Sequence, residues 1–160
     1  MFNRESVTRF LLRGPGALNS SIARWTVLAL TVTGAAFLVW SAVIHLILWK
    51  DGYKDVATIG PLFLVQGIVG IVLALAIVAL RWLALLVVGA ATGVATAGGL
   101  LISVNFGLFG LKESLATTYA TLSLAVEFTA AFLLLVAACV LALGSAAKTA
   151  RNSAPLPTRT

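Results

Sequence analysis

The chain has 160 residues, of which 61% are hydrophobic and 10% charged, with a formal net charge of +6. A soluble domain carries roughly 25% charged residues. Here the apolar residues form long blocks, which excludes a soluble globular domain and implies an all-α, integral membrane four-helix transmembrane bundle. The basic residues sit at the ends of the apolar runs. Their expected partners are therefore anionic lipid headgroups, and nucleic acid is rejected as a partner.

Residues 1–24 form a basic N-terminal segment. Phe2, Val7, Phe10 and Leu11 alternate with Arg4, Arg9 and Arg13. This reads either as an interfacial helix on the membrane surface or as a frayed basic tail. Gly14-Pro15-Gly16 breaks any helix there. Arg24 precedes an apolar run longer than the ~7–15-residue core of a signal peptide, so a cleaved signal is not expected.

The transmembrane domain is expected over 25–144. The first span, about 25–48, ends at Trp49-Lys50-Asp51-Gly52-Tyr53, a polar loop with headgroup-level aromatics. The second, about 60–80, starts with Pro61 in its first turn, where the missing N–H costs nothing, and Thr58 or Gly60 can cap it. Arg81-Trp82 splits what would otherwise be an apolar run more than twice the ~20 residues a span needs. The third span, about 83–106, therefore makes a tight hairpin with the second. Gly107–Glu113 forms the next loop, and the fourth span is about 117–143. A disordered tail is expected over 145–160, with Pro155 and Pro157.

Basic residues orient the bundle. Arg4, Arg9, Arg13, Arg24, Arg81, Lys148, Arg151 and Arg159 fall on one side, against Lys50, Lys54 and Lys112 on the other. The positive-inside rule places both termini in the cytoplasm and the protein in the plasma membrane as a multi-pass chain.

Glu127 stands alone as an ionisable residue inside the fourth run. Placing such a group at membrane depth costs about 2.5–3.5 kcal/mol on insertion scales, so it faces the protein interior, a partner or water. With this topology His45, Gln66 and Asn105 fall in the same half of the membrane, with Glu127 deeper, roughly 12–15 Å in. Helical spacing puts each on a small-residue face: Gly34, Ser41 and His45; Gln66, Gly70 and Ala74; Ala120, Ser123, Glu127, Ala130, Ala131 and Ala138. Small residues mark faces where membrane helices approach closely. Glu127, His45, Gln66 and Asn105 are thus expected to form one polar cluster. Two uses are open: hydrogen bonds that fix the helices in register, or handling of a proton, a cation, a ligand or a partner subunit.

The third span carries Gly89, Thr92, Gly93, Thr96, Gly99 and Ser103. Its Gly89, Gly93, Ala97 stripe is a helix-packing or oligomerisation face, with a polar ligand groove as a further reading. Cys139, the one cysteine, reads as a small packing residue. No metal spacing, carboxylate pair or phosphate loop is present, and a single histidine excludes a bis-histidine haem within one chain. No cofactor is implied. Ser41 and His45, one turn apart, are a weak nucleophile–base pair.

The stretch His45-Leu46-Ile47-Leu48-Trp49-Lys50-Asp51-Gly52-Tyr53, followed by Thr58-Ile59-Gly60-Pro61-Leu62-Phe63-Leu64, resembles a segment of small uncharacterised four-span membrane proteins of actinobacteria. The resemblance implies the four-span arrangement and carries no activity. DoxX-like proteins share the general architecture without a motif match. The expected function is a non-catalytic accessory or assembly subunit of a larger membrane complex, with a protein partner in the membrane. The alternatives are a small transporter, channel or ligand-binding protein built around Glu127, and a lipid- or quinone-linked enzyme using His45 as acid/base.

Overall fold

The computed structural model describes residues 4–152. Among these the chain is helical: α1 (Arg4–Leu11), α2 (Ser21–Asp51), α3 (Ile59–Leu80), α4 (Leu83–Phe106) and α5 (Thr118–Asn152). The helices α2 to α5 are each long and apolar enough to cross a membrane. Large apolar side chains such as Val72, Leu75, Phe132 and Leu135 point outward. A soluble protein does not leave so much apolar surface to water, so this is a multi-pass membrane protein.

The ends of the helices follow from local chemistry. Ser20 caps α2, accepting a hydrogen bond from the backbone N–H of Ala23 at 3.4 Å. This starts the helix at Ser21 rather than at Trp25. Between α3 and α4, Arg81 takes a left-handed conformation (φ 51°) and its N–H closes the helix on the Ile77 carbonyl, while Trp82 is extended. Two residues therefore reverse the chain. Thr58 also has positive φ (67°) and makes no side-chain cap, so the capping expected of it is absent. α5 runs on to Asn152 rather than giving way to a disordered tail at Ser145. Pro155, Pro157 and Arg159 lie outside the described residues.

The N-terminal segment ties down the end where α3 turns into α4. α1 buries none of its residues, and Val7, Phe10 and Leu11 stay exposed on its surface. After it, the Arg13 carbonyl accepts from the Leu83 N–H at 2.9 Å, satisfying a donor at the start of α4 that its own helix cannot. The Arg13 guanidinium donates to Ser145 Oγ at 3.0 Å, and Ser145 in turn donates to the Ala142 carbonyl. Leu18 is buried beside Gly144.

Within the bundle α2 is central. It packs along α3 on one flank and α5 on the other, and α4 packs on the far side of α5. Although joined by two residues, α3 and α4 have little mutual contact. Close approach depends on glycine. Gly34 of α2 lies under Leu134 of α5, and Gly70 of α3 faces Ala42 of α2. A Cβ on Gly93 of α4 would stand 2.7 Å from the Glu127 carbonyl oxygen of α5 and 3.1 Å from the Ala131 methyl. A Cβ on Gly89 would meet Ile77 of α3 and Leu134 of α5. Ala97 is fully buried. The Gly89, Gly93, Ala97 face is therefore a packing face within one chain, filled by α3 and α5.

Cys139 departs from expectation. It is exposed on the outer face of α5, not packed among neighbours, because it falls next to rather than on the buried stripe Ala137, Ala138 and Leu141.

A methyl at Gly93 forces backbone apart and should cost about 1–3 kcal/mol. Gly93→Ala is expected to lower stability in reversible detergent unfolding by that amount. Gly98→Ala, whose Cβ meets nothing within 4 Å, should change it little. Equal losses in the two variants would show that the α4–α5 contact is not the cause.

Candidate functional site

Glu127 is 1% exposed and lies where α5 crosses α2. Its Oε1 accepts two hydrogen bonds: from Ser123 Oγ, one turn earlier on α5, at 2.8 Å, and from Ser41 Oγ of α2 at 3.1 Å. His45 Nε2 of α2 stands 3.9 Å from the same oxygen, within ion-pair range but beyond a hydrogen bond. The other carboxyl oxygen, Oε2, is buried and accepts no hydrogen bond within 3.5 Å; the Thr96 hydroxyl of α4 is near the carboxyl but directs its proton to the Thr92 and Gly93 carbonyls. Burying such an acceptor unpartnered is unfavourable, and most buried polar groups in proteins are satisfied.

Periodicity explains the placement. Ser41 and His45 are one turn apart on α2, and Ser123 and Glu127 one turn apart on α5, so two adjacent turns of each helix face each other. His45 Nδ1 lies 2.9 Å from the Ser41 carbonyl oxygen. A carbonyl can only accept, so Nδ1 carries the proton and donates. In the neutral ring this leaves a lone pair on Nε2, the nitrogen facing Glu127. The Ser41 hydroxyl goes to Glu127 and not to His45, so the nucleophile–base pair suggested by their spacing does not form.

The Glu127 group forms one wall of a cavity of about 440 Å³. It occupies the half of the bundle that carries the loops 52–58 and 107–117, between α3 and α4. α2 contributes His45 and Leu48; α3 contributes Leu62, Phe63 and Gln66; α4 contributes Thr92, Thr96 and Gly99; α5 contributes Ala120, Ser123 and Glu127. The small and polar stripe of α4 is thus divided. Gly89, Gly93 and Ala97 pack on neighbours, while Thr92, Thr96 and Gly99 face the cavity. Both threonine hydroxyls donate to carbonyls of their own helix, Thr92 to Val88 and Thr96 to Thr92 and Gly93. Their methyl groups and hydroxyl oxygens remain as lining.

Of the four residues expected to cluster, the structure brings together three. Glu127 and His45 adjoin, and Gln66 lines the same cavity. Asn105 does not join them. It is exposed near the end of α4 and its amide donates back to the Leu101 carbonyl at 2.7 Å. At 100° per residue, Ser103 rather than Asn105 completes the inward face of that last turn.

The loops close the cavity at one end, through residues that sequence reasoning missed. Tyr53 Oη donates to Glu113 Oε1, joining the first loop to the last across the bundle. Ser103 of α4 donates to the Leu111 carbonyl at 3.0 Å and accepts from the Glu113 N–H at 3.3 Å, fixing the Glu113 segment on α4. Tyr53 lies tilted against Phe63 with ring centroids 4.9 Å apart, and Phe63 meets the His45 ring edge-on at 5.1 Å. Gly60 makes this possible, because a Cβ there would stand 2.6 Å from the carbonyl oxygens of both Tyr53 and Lys54. Among the described residues, no group of three or more His, Cys, Asp and Glu side chains is placed to hold a metal.

Partial burial, then the hydrogen bond and charge of Glu113, push the Tyr53 phenol up to about 12. The neutral phenol is the form the fold favours. The contribution of this link is therefore fully present below the unfolded value of about 10 and is lost as pH rises from about 10 through about 12. In a Tyr119→Phe background, phenolate absorbance should develop with a midpoint near 12, and adding Glu113→Gln should lower it only part of the way, since the larger cause, burial, remains. A midpoint near 10 in the parent would show the link to be open in solution.

No family model, no curated protein and no solved structure matches the chain.

Proposed function

We propose that this chain is a small ligand-binding membrane protein of transporter type, and that Glu127 is the group that engages the ligand. One observation carries the reading. A buried carboxyl with an unpartnered oxygen stands on the wall of a 440 Å³ cavity. Ligand sites are cavities of about 300–1,000 Å³, mostly apolar, with a few convergent polar groups. An ionisable group at membrane depth marks a substrate, ion or proton pathway more often than a structural joint. With the basic end of the bundle in the cytoplasm, as the distribution of Arg and Lys favours, the cavity falls in the outer half of the plasma membrane.

His45 is the second working residue. With Nδ1–H held by the Ser41 carbonyl, its Nε2 faces Glu127. A single proton on the carboxyl or on Nε2 leaves the pair neutral overall, and its release leaves a charge of −1 that can meet a cationic ligand. Gln66 supplies an amide to the same space.

The accessory-subunit reading rests on small size, little surface outside the membrane and no catalytic constellation, together with a small-residue face for a partner; Gly89, Gly93 and Ala97 pack inside the bundle, which weakens the last of these. The enzyme reading uses His45 as acid/base on a lipid or quinone; His45 Nε2 faces Glu127, and the Ser41 hydroxyl donates to Glu127, so no nucleophile stands against the ring.

Glu127→Gln keeps the shape and can still accept from Ser41 and Ser123, but it loses the charge. A charge-assisted hydrogen bond contributes about 1.5–3 kcal/mol, or roughly 10–100-fold in affinity. Protein purified gently in mild detergent is expected to carry a bound small molecule, detected by mass spectrometry after extraction. The Glu127→Gln protein should elute and melt as the parent does and carry at least ten-fold less. Identical bound species in equal amount on both proteins would sink the reading.

A further inference from the structure

The cavity walls differ in chemistry from one side to the other. Glu127, Ser123 and His45 lie on the α2–α5 side, whereas Leu62, Phe63, Ala95 and Leu100, with the uncharged Gln66, Thr92 and Thr96, line the α3–α4 side. No lysine or arginine lines any part of it. The other acid on the wall, Glu113, already accepts from Tyr53. Leu62 of α3 and Ala95 of α4 line the cavity and are also exposed on the outer surface of the bundle. Since α3 and α4 hardly touch, the gap between them is the side on which the cavity can open toward lipid. Gly99 stands on the α4 edge of this gap, and a Cβ there meets nothing within 4 Å.

We propose that the ligand is a membrane-dissolved amphiphile with a primary ammonium headgroup. It enters sideways between α3 and α4, sets its nitrogen against Glu127 and lays its chain along Leu62, Phe63 and Leu100. This rests on the ligand-binding reading above and adds the ligand's charge and its route.

The charge follows from the inventory of donors and acceptors. Glu127 Oε2 is an acceptor without a donor, and the neutral His45 ring presents a lone pair. An ammonium supplies three donors and no acceptor. A phosphate or carboxylate headgroup would instead meet a carboxylate with no fixed cation beside it, and like charges brought together out of water are strongly unfavourable. The route follows from the walls. The link between Tyr53 and Glu113 spans the loop end, while the α3–α4 side carries no charged group and is apolar at Leu62, Ala95 and Gly99. An alkyl chain therefore moves from bilayer to cavity without meeting water. Its accumulation in the bilayer raises the concentration at the gap far above that in solution, an advantage a water-soluble amine lacks.

The probes are dodecylammonium, dodecanoate and methylammonium, each added to the full-length protein in detergent and followed by native mass spectrometry. Dodecylammonium is expected to give a one-to-one adduct with the parent. The adduct should fall at least ten-fold in Glu127→Gln and in Gly99→Trp, whose indole fills the gap. Dodecanoate should give no specific adduct, and methylammonium should need at least ten-fold more ligand. If methylammonium binds as well as dodecylammonium and still depends on Glu127, the sideways amphiphile is overturned while the ligand-binding reading stands. If dodecanoate binds as well as dodecylammonium, the ammonium assignment is overturned. If no probe distinguishes the parent from Glu127→Gln, and the parent carries no ligand of its own, both fall. The comparison of probes on the parent decides the matter even if Gly99→Trp fails to fold.

Discussion

A carboxyl group set at membrane depth has to be enclosed, and the seam between α2 and α5 answers that requirement. Lipid offers no hydrogen bonds, so Glu127 needs donors from the protein itself. Ser123 provides one from its own helix and Ser41 another from across the seam. The second bond is possible only because small residues let the two backbones come close: Gly34 under Leu134, with Ala35, Ala42, Ala130 and Ala131 buried nearby. The register of α2 on α5 and the burial of the acid are therefore one condition. A shift of either helix by a single residue would turn Glu127 or Ser41 by about 100° toward lipid.

The cavity is a consequence of how the other two helices attach. α3 is drawn onto α2, where Gly67 sits against Leu46 and Gly70 against Ala42. α4 is drawn onto α5, where Gly93 sits against the Glu127 backbone. The two-residue connection holds α3 and α4 together at one end, with Ile77 beside Gly89. At the other end each follows its own partner, and a wedge opens between them. Side chains that could fill the wedge are small there: Ala95, Thr96 and Gly99 on α4. Packing that holds the α2–α5 seam shut thus leaves the enclosed acid at the edge of the wedge, as one of the residues that line it.

Much of this was legible in the sequence. Long apolar runs, the Arg81-Trp82 interruption and the 3.6-residue spacing of small and polar residues carry the four helices and the inward faces of α2, α3 and α5, because lipid-facing and protein-facing chemistry differ along each helix. Asn105 was misplaced because polarity near a helix end is ambiguous. An amide there can satisfy itself on the carbonyl one turn back, here Leu101, and stay exposed. The double use of the α4 stripe was not readable either, since Gly93 and Gly99 carry the same small-residue signal and only the partner helix decides which is covered. The link from Tyr53 to Glu113 joins residues far apart in sequence and depends on loop geometry. Its one local trace is Gly60, set beside a proline where a helix start needs no glycine.

The same attachments decide which helix can move. α5 is held by α2 along one flank and by α4 along the other, and α2 by α3 and α5, so displacing either would break two interfaces. α3 rests chiefly on α2, is the least buried of the four spanning helices, and presents Leu62, Val65, Val69 and Val72 to the outside. Moving it away from α4 exchanges little protein contact for lipid, and lipid is as favourable a neighbour as another apolar side chain. The restraint on α3 at the loop end is the Tyr53–Phe63 contact together with the bond from Tyr53 to Glu113. Widening the gap beside Gly99 therefore requires loosening one loop contact, while the α2–α5 seam that encloses Glu127 stays intact.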